Sequence, residues 1–137
     1  MTSVFEDKEA IRELLYRYCY GTDTGDVEGW VGSFTEDCEW DGGPFGACKG
    51  KGEMRAFYAQ GGDAARSMRH LTLNTIIDVQ GDHARAVSYV VVLGVSPEAT
   101  SIFFSGFYDD ALVRTGDRWR IGRRKLRPDM AEIKLPE

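Results

Sequence analysis

This chain of 137 residues is poor in the groups that most often announce a chemistry, and the gaps narrow the field. It has two histidines, His70 and His83, and three cysteines. Cys19, Cys38 and Cys48 are an odd number without Cys-x-x-Cys spacing, so neither a disulfide framework nor a structural zinc site is indicated, and they read as small buried hydrophobes. No apolar run is long enough to span a bilayer, and the start Met-Thr-Ser-Val-Phe-Glu-Asp-Lys-Glu lacks the basic and apolar stretches of a signal peptide. The expectation is a cytoplasmic protein with no membrane association. Positive charge is in deficit, with 17 Lys and Arg against 22 Asp and Glu for a net charge of -5, which argues against nucleic acid as a partner. There is no internal repeat, no low-complexity linker, no phosphate-binding glycine loop, no defensible Ser-His-Asp spacing and no cluster of metal ligands. No cofactor is therefore expected.

What is present suits one ordinary domain: 42% hydrophobic and 12% aromatic residues supply a real core. Ile11, Leu14, Leu15, Tyr18, Cys19 and Thr22 recur at helical spacing behind acidic Glu6, Asp7 and Glu9, which predicts a helix from about Glu6 to Asp23. After Gly25, the residues Val27, Trp30, Val31 and Phe34 repeat the pattern for a shorter second helix. Residues 38–50 hold five glycine or proline breaks around Trp40 and Phe45 and read as a strand, a loop and a return. Met54, Phe57 and Tyr58 fit a third helix closed by Gly61-Gly62.

From Arg66 onward the period changes to two, with strands expected near 67–80, 83–95, 101–114 and 117–127. Gln80-Gly81-Asp82 and Thr115-Gly116-Asp117 look like tight hairpin turns, and Ser96-Pro97-Glu98 like a longer one, so consecutive strands should pair antiparallel. Helices first and a meander of long strands afterwards define an α+β fold, with the helices packed in a strongly curved sheet and a cone-shaped cavity between them. Unbroken alternation puts Met68, His70, Thr72, Asn74 and Ile76 on the cavity face, and Leu71, Leu73, Thr75, Ile77 and Val79 on the other. Val87, Tyr89, Val91, Leu93 and Val95 share one side of the next strand, and Ala86, Ser88, Val90 and Val92 the other. A sheet apolar on both faces calls for a homo-oligomer, a dimer or a trimer.

The layout resembles a known family. Its carriers are Ile11-Arg12-Glu13-Leu14-Leu15-Tyr16-Arg17-Tyr18 leading into Asp23-Thr24-Gly25-Asp26, then Trp30 through Phe34-Thr35-Glu36-Asp37-Cys38-Glu39-Trp40. They continue with Lys49-Gly50-Lys51-Gly52, with Arg69-His70-Leu71-Thr72-Leu73-Asn74, and with the closing Gly116-Asp117-Arg118-Trp119-Arg120-Ile121. In order and spacing these resemble the SnoaL-like members of the NTF2-like superfamily, closest to the branch with scytalone dehydratase and hexachlorocyclohexane dehydrochlorinase. The resemblance implies a cone-shaped α+β barrel in which an Asp ending the first helix faces a His on the long strand, the His acting as base. Asp23 and His70 match those two positions. Gly42 falls near the place of the water-holding tyrosine of scytalone dehydratase, and that enzyme's second histidine has no counterpart, so its reaction does not carry over unchanged.

The reading that follows is a cofactor-independent lyase or isomerase acting on a small apolar cyclic molecule. In it Asp23 orients His70, and His70 takes a proton near neutral pH. Tyr16, Tyr20, Trp40, Tyr58, Asn74 and Arg123 are the candidates for substrate contacts. Arg123 belongs to a basic last strand where alternation groups it with Lys125 and Arg127 on the Trp119 and Ile121 face. Two other classes share the cone: a non-catalytic ligand-binding or protein-interaction module, and a polyketide-type cyclase with the Asp alone as base.

Overall fold

The computed structural model describes residues 2–137. Helix α1 spans Val4–Thr24 and starts at a capping box, in which the Ser3 hydroxyl accepts from the Glu6 backbone N–H and the Glu6 carboxylate accepts from the Ser3 N–H. Its buried stripe is Ile11, Leu15, Tyr18, Cys19 and Thr22, and it ends at Gly25 with φ 79°, a left-handed cap that glycine adopts without strain. Helix α2 is short, Val27–Val31, capped by the Asp26 carboxylate. The chain crosses α1 closely here: a Cβ on Gly21 would lie 2.6 Å from the Trp30 backbone nitrogen, so only glycine lets the two helices touch. The sequence pattern carried α2 through Phe34, but Phe34 opens strand β1 (Phe34–Asp41).

A single-turn 3-10 segment, Gly43–Phe45, and the short strand β2, Ala47–Lys49, lead into α3, Gly50–Ala65. Helix α3 runs straight through Gly61-Gly62 rather than stopping there, at the cost of two weak helix formers. Strands β3 (Met68–Gln80), β4 (His83–Val95), β5 (Thr100–Thr115) and β6 (Arg118–Pro128) form the expected antiparallel meander. The sheet is larger than that meander. It has six strands in the order β2-β1-β6-β5-β4-β3, and β1 lies parallel to β6. An α+β fold with a mixed, curved sheet is the result.

Bulges set the curvature and decide which residues face inward. In β3 the register steps from Leu73 opposite Tyr89 to Ile76 opposite Val87, so two residues, Asn74 and Thr75, share the space opposite Ser88. Asn74 takes φ 54°, a conformation that asparagine tolerates better than most residues. Beyond it the inward set becomes Thr75, bonded to the Ser88 hydroxyl at 2.9 Å, and buried Ile77. In β6 the step from Ile121 to Arg123 against consecutive β5 residues leaves Gly122 as the extra residue, which turns Arg124 and Leu126 inward. A third shift in β5 leaves Phe103 between the pairs Val92–Phe104 and Leu93–Ile102.

Candidate active site

The concave face of the sheet and the three helices enclose a cavity of about 240 Å³. That exceeds the roughly 150 Å³ known to hold a benzene ring, so one ring or two fused rings fit. Its walls are largely aromatic. Tyr18 and Trp30 come from the helical layer, Trp40 from β1, Phe57 and Tyr58 from α3, and Phe104 and Tyr108 from β5. Phe45 and Phe103, both substantially exposed, lie 6.1 Å apart between ring centres with their planes tilted by 32° and border the same cavity.

His70 is the one histidine on this wall. Asp23 holds it at two points: one carboxylate oxygen lies 2.6 Å from the ring Nδ1, and the other accepts the His70 backbone N–H at 2.9 Å. The position of Asp23 at the last turn of α1, opposite the first residues of β3, makes the double contact possible. An ionised carboxylate can only accept, so Nδ1 carries the hydrogen when the ring is neutral, and the Nε2 lone pair is left for another proton. Both side chains are largely buried, at 16% and 9% exposure, which keeps water from weakening the pair. Cys19 lies next to this pair, its sulfur 3.3 Å from the Thr72 hydroxyl, and burial pushes its thiol up, away from the nucleophilic thiolate.

The other expected contacts divide. Trp40 and Tyr58 line the cavity. The Trp40 indole N–H donates to the Tyr18 hydroxyl at 3.0 Å, and the Tyr58 hydroxyl donates to the Thr22 carbonyl at 2.7 Å, which ties α3 to α1. Tyr16 and Tyr20 are corrected: at 44% and 71% exposure they lie on the solvent side of α1, where they border an outer depression with Asp23 rather than the cone. Asn74 is corrected as well, because the bulge at its own position breaks the alternation and leaves it exposed. Arg123 is the third correction, since the extra residue Gly122 swings it outward and brings Arg124 in.

Arg124 is fully buried and forms a two-point ion pair with fully buried Asp110, at 2.7 and 2.8 Å. Its guanidinium carbon sits 3.7 Å from the Tyr108 ring centre and 4.3 Å from that of Tyr18. Burial alone would loosen its proton, but Asp110 holds the charge on it firmly. Tyr108 is pushed well above the usual tyrosine range, by burial first and by neighbouring Tyr18 second. It stays a neutral phenol and a hydrogen-bond donor. Sequence reasoning missed this assembly, and its only signal was Gly122 inside an otherwise regular strand pattern. Among the described residues, no three His, Cys, Asp or Glu side chains group to hold a metal, and no helix is long and apolar enough to cross a membrane.

The SnoaL-like domain profile matches residues 3–125 of this chain, from the α1 cap to the basic last strand. The chain belongs to the SnoaL-like family. Solved structures agree on the fold. A protein of Mycobacterium tuberculosis described as of unknown function is 35% identical over 91% of this chain and 73% of its own, with a TM-score of 0.80. A Nostoc punctiforme protein with a cystatin-like fold, also of unknown function, is 31% identical over 96% of this chain and 97% of its own, with a TM-score of 0.82. An NTF2-like protein from Novosphingobium aromaticivorans is 27% identical over 90% of this chain and 82% of its own, again at 0.82. No curated protein is significantly similar to the chain.

Proposed function

We propose that this SnoaL-like protein is a cofactor-independent lyase or isomerase that removes a proton from a small, mainly apolar cyclic substrate held in the cone. The observation that carries the reading is the double hold of Asp23 on His70, with the imidazole on the wall of an aromatic cavity. His70 Nε2 takes a proton from a carbon next to a carbonyl, and the electrons of that C–H bond move into an enolate. Asp23 fixes the ring and stabilises the imidazolium that forms, the usual division of labour between a base and its orienting carboxylate. The same proton then returns at another carbon in an isomerisation. In an elimination, a leaving group on the neighbouring carbon departs with its bonding pair as the double bond forms.

Deuterium uptake tests this without knowledge of the natural substrate. In heavy water, the protein is expected to speed exchange of the protons beside the carbonyl of one or more of cyclohexanone, indanone and tetralone, followed by proton NMR. His70→Ala is expected to abolish the acceleration, and Asp23→Asn to reduce it about a hundredfold or more, the lower range for loss of general-base catalysis. Acceleration that survives in His70→Ala rejects the assignment. A wild-type protein that binds all three ketones and exchanges none favours the binding-module reading.

A further inference from the structure

Around Tyr18 and Tyr108, several hydrogen-bond donors are left without an acceptor. The Trp40 indole N–H, which can only donate, is directed at the Tyr18 oxygen. Tyr18 and neighbouring Tyr108, 6.1 Å apart between ring centres, then hold two O–H groups. Neither O–H donates to an acceptor on any other of the described residues, so at least one is spare even when the two tyrosines bond each other. Two donors beside them, the Trp30 Nε1–H and the Arg124 Nη1–H, are buried without a partner among the described residues. Trp30 itself lines the cavity and lies 6.1 Å from Tyr18 between ring centres. Asp110, the carboxylate that faces Arg124, is engaged at both oxygens by that guanidinium. Buried donors without partners are costly, and native proteins rarely keep several together unless something fills them.

We propose that Tyr18 and Tyr108 form an oxygen-binding subsite of the cone, which accepts the carbonyl or enolate oxygen of a cyclic ketone through the spare phenolic O–H. This rests on the proton-abstraction reading above and names the substrate class for the same cavity. Arg124 supports the subsite from behind: its fixed charge over both phenol rings favours hydrogen-bond donation toward a developing oxyanion. Trp40 fixes the Tyr18 oxygen by donating to it at 3.0 Å. The arrangement selects an acceptor oxygen on an apolar ring and offers little to a hydrocarbon of the same shape.

Indanone and indane, which differ by the carbonyl oxygen, separate these possibilities. Quenching of tryptophan fluorescence follows binding, because Trp30 and Trp40 both line the cavity. The wild-type protein is expected to bind indanone about tenfold more tightly than indane beyond the difference in their partition from water into hydrocarbon, the size of one well-formed hydrogen bond. The infrared carbonyl band of bound indanone should shift to lower frequency than in an apolar solvent. In Tyr18→Phe with Tyr108→Phe, both the preference and the band shift should vanish while indane binds as before, which also shows that the cavity is intact. The His70→Ala variant should keep preference and band shift even where it loses exchange, so the failure of the base and the failure of the subsite read differently. A preference or band shift that persists in the doubly substituted protein, or their absence from the wild type, overturns the proposal. Their loss in His70→Ala alone overturns it too, by making His70 the donor.

Discussion

A guanidinium with no access to water is stable only with its counter-charge in place. Arg124 and Asp110 are both fully buried, so removing either partner strands the other in a dry core. Arg124→Met and Asp110→Asn are each expected to lower stability by about 3–5 kcal/mol in chemical denaturation. Arg124→Met combined with Asp110→Leu should cost less than the sum, because no charge is then left unpaired. Asp7 makes a second, pH-dependent case. The Thr2 hydroxyl at 2.6 Å, the Trp119 indole at 3.1 Å and Arg114 at 2.6 Å hold its carboxyl below the usual range despite burial. An acid whose folded pKa is depressed adds stability that is fully present above its unfolded value, near 4, and is lost as pH falls through the folded value. Asp7→Asn should therefore lower the melting temperature at neutral pH and flatten the fall in melting temperature below about pH 4.

At the scale of the element, single extra residues in three strands rewrite which side chains reach the cavity. Asn74 adopts φ 54° in the β3 bulge. Asn74→Val, a β-branched residue in that conformation, is expected to cost about 1–2 kcal/mol, while Asn74→Gly should be nearly neutral, as thermal unfolding would show. The same bulges explain how far the sequence could be read. Helix α1, the hairpin turns and the order of β3 to β6 were legible, because amphipathic spacing and Gly-containing turns are local signals. So were Asp23 and His70 as a pair, through resemblance to a family in which these positions meet. Asn74 and Arg123 were misplaced because period-two alternation assumes that no residue is inserted, and one inserted residue reverses every side chain after it. The parallel pairing of β1 with β6 was not legible either, since it joins segments more than 80 residues apart, Phe34 with Ile121, and leaves no local mark.

At the scale of the whole molecule, the convex face of the sheet is apolar, as the strand pattern led one to expect. Leu71, Leu73 and Ile76 of β3, Tyr89 of β4 and Ile102 of β5 are all exposed, with Tyr89 5.3 Å from Phe107 between ring centres. Tyr89 pairs across to Leu73 on one side and Phe107 on the other, so these side chains form a continuous patch rather than scattered points. We propose that a second copy of the chain covers it, since one patch can serve both partners of a two-fold contact. Light scattering at micromolar concentration should give twice the 15.3 kDa chain mass. Leu73→Lys with Tyr89→Lys should give a folded monomer, and a wild-type protein that elutes as a monomer contradicts this.

The central claim is that Asp23 holds neutral His70 with its hydrogen on Nδ1, so that Nε2 is free to take a proton inside the cone. Nitrogen–proton correlation spectra of ring-labelled histidine measure this directly, and His83, exposed at the start of β4, serves as the internal reference. At a pH where the ring is neutral, the account predicts a hydrogen-bearing Nδ1 and a bare Nε2 for His70, with the Nδ1 proton shifted far downfield by the 2.6 Å contact and the whole pattern lost in Asp23→Asn. A His70 that carries its hydrogen on Nε2, or a spectrum unchanged in Asp23→Asn, contradicts it.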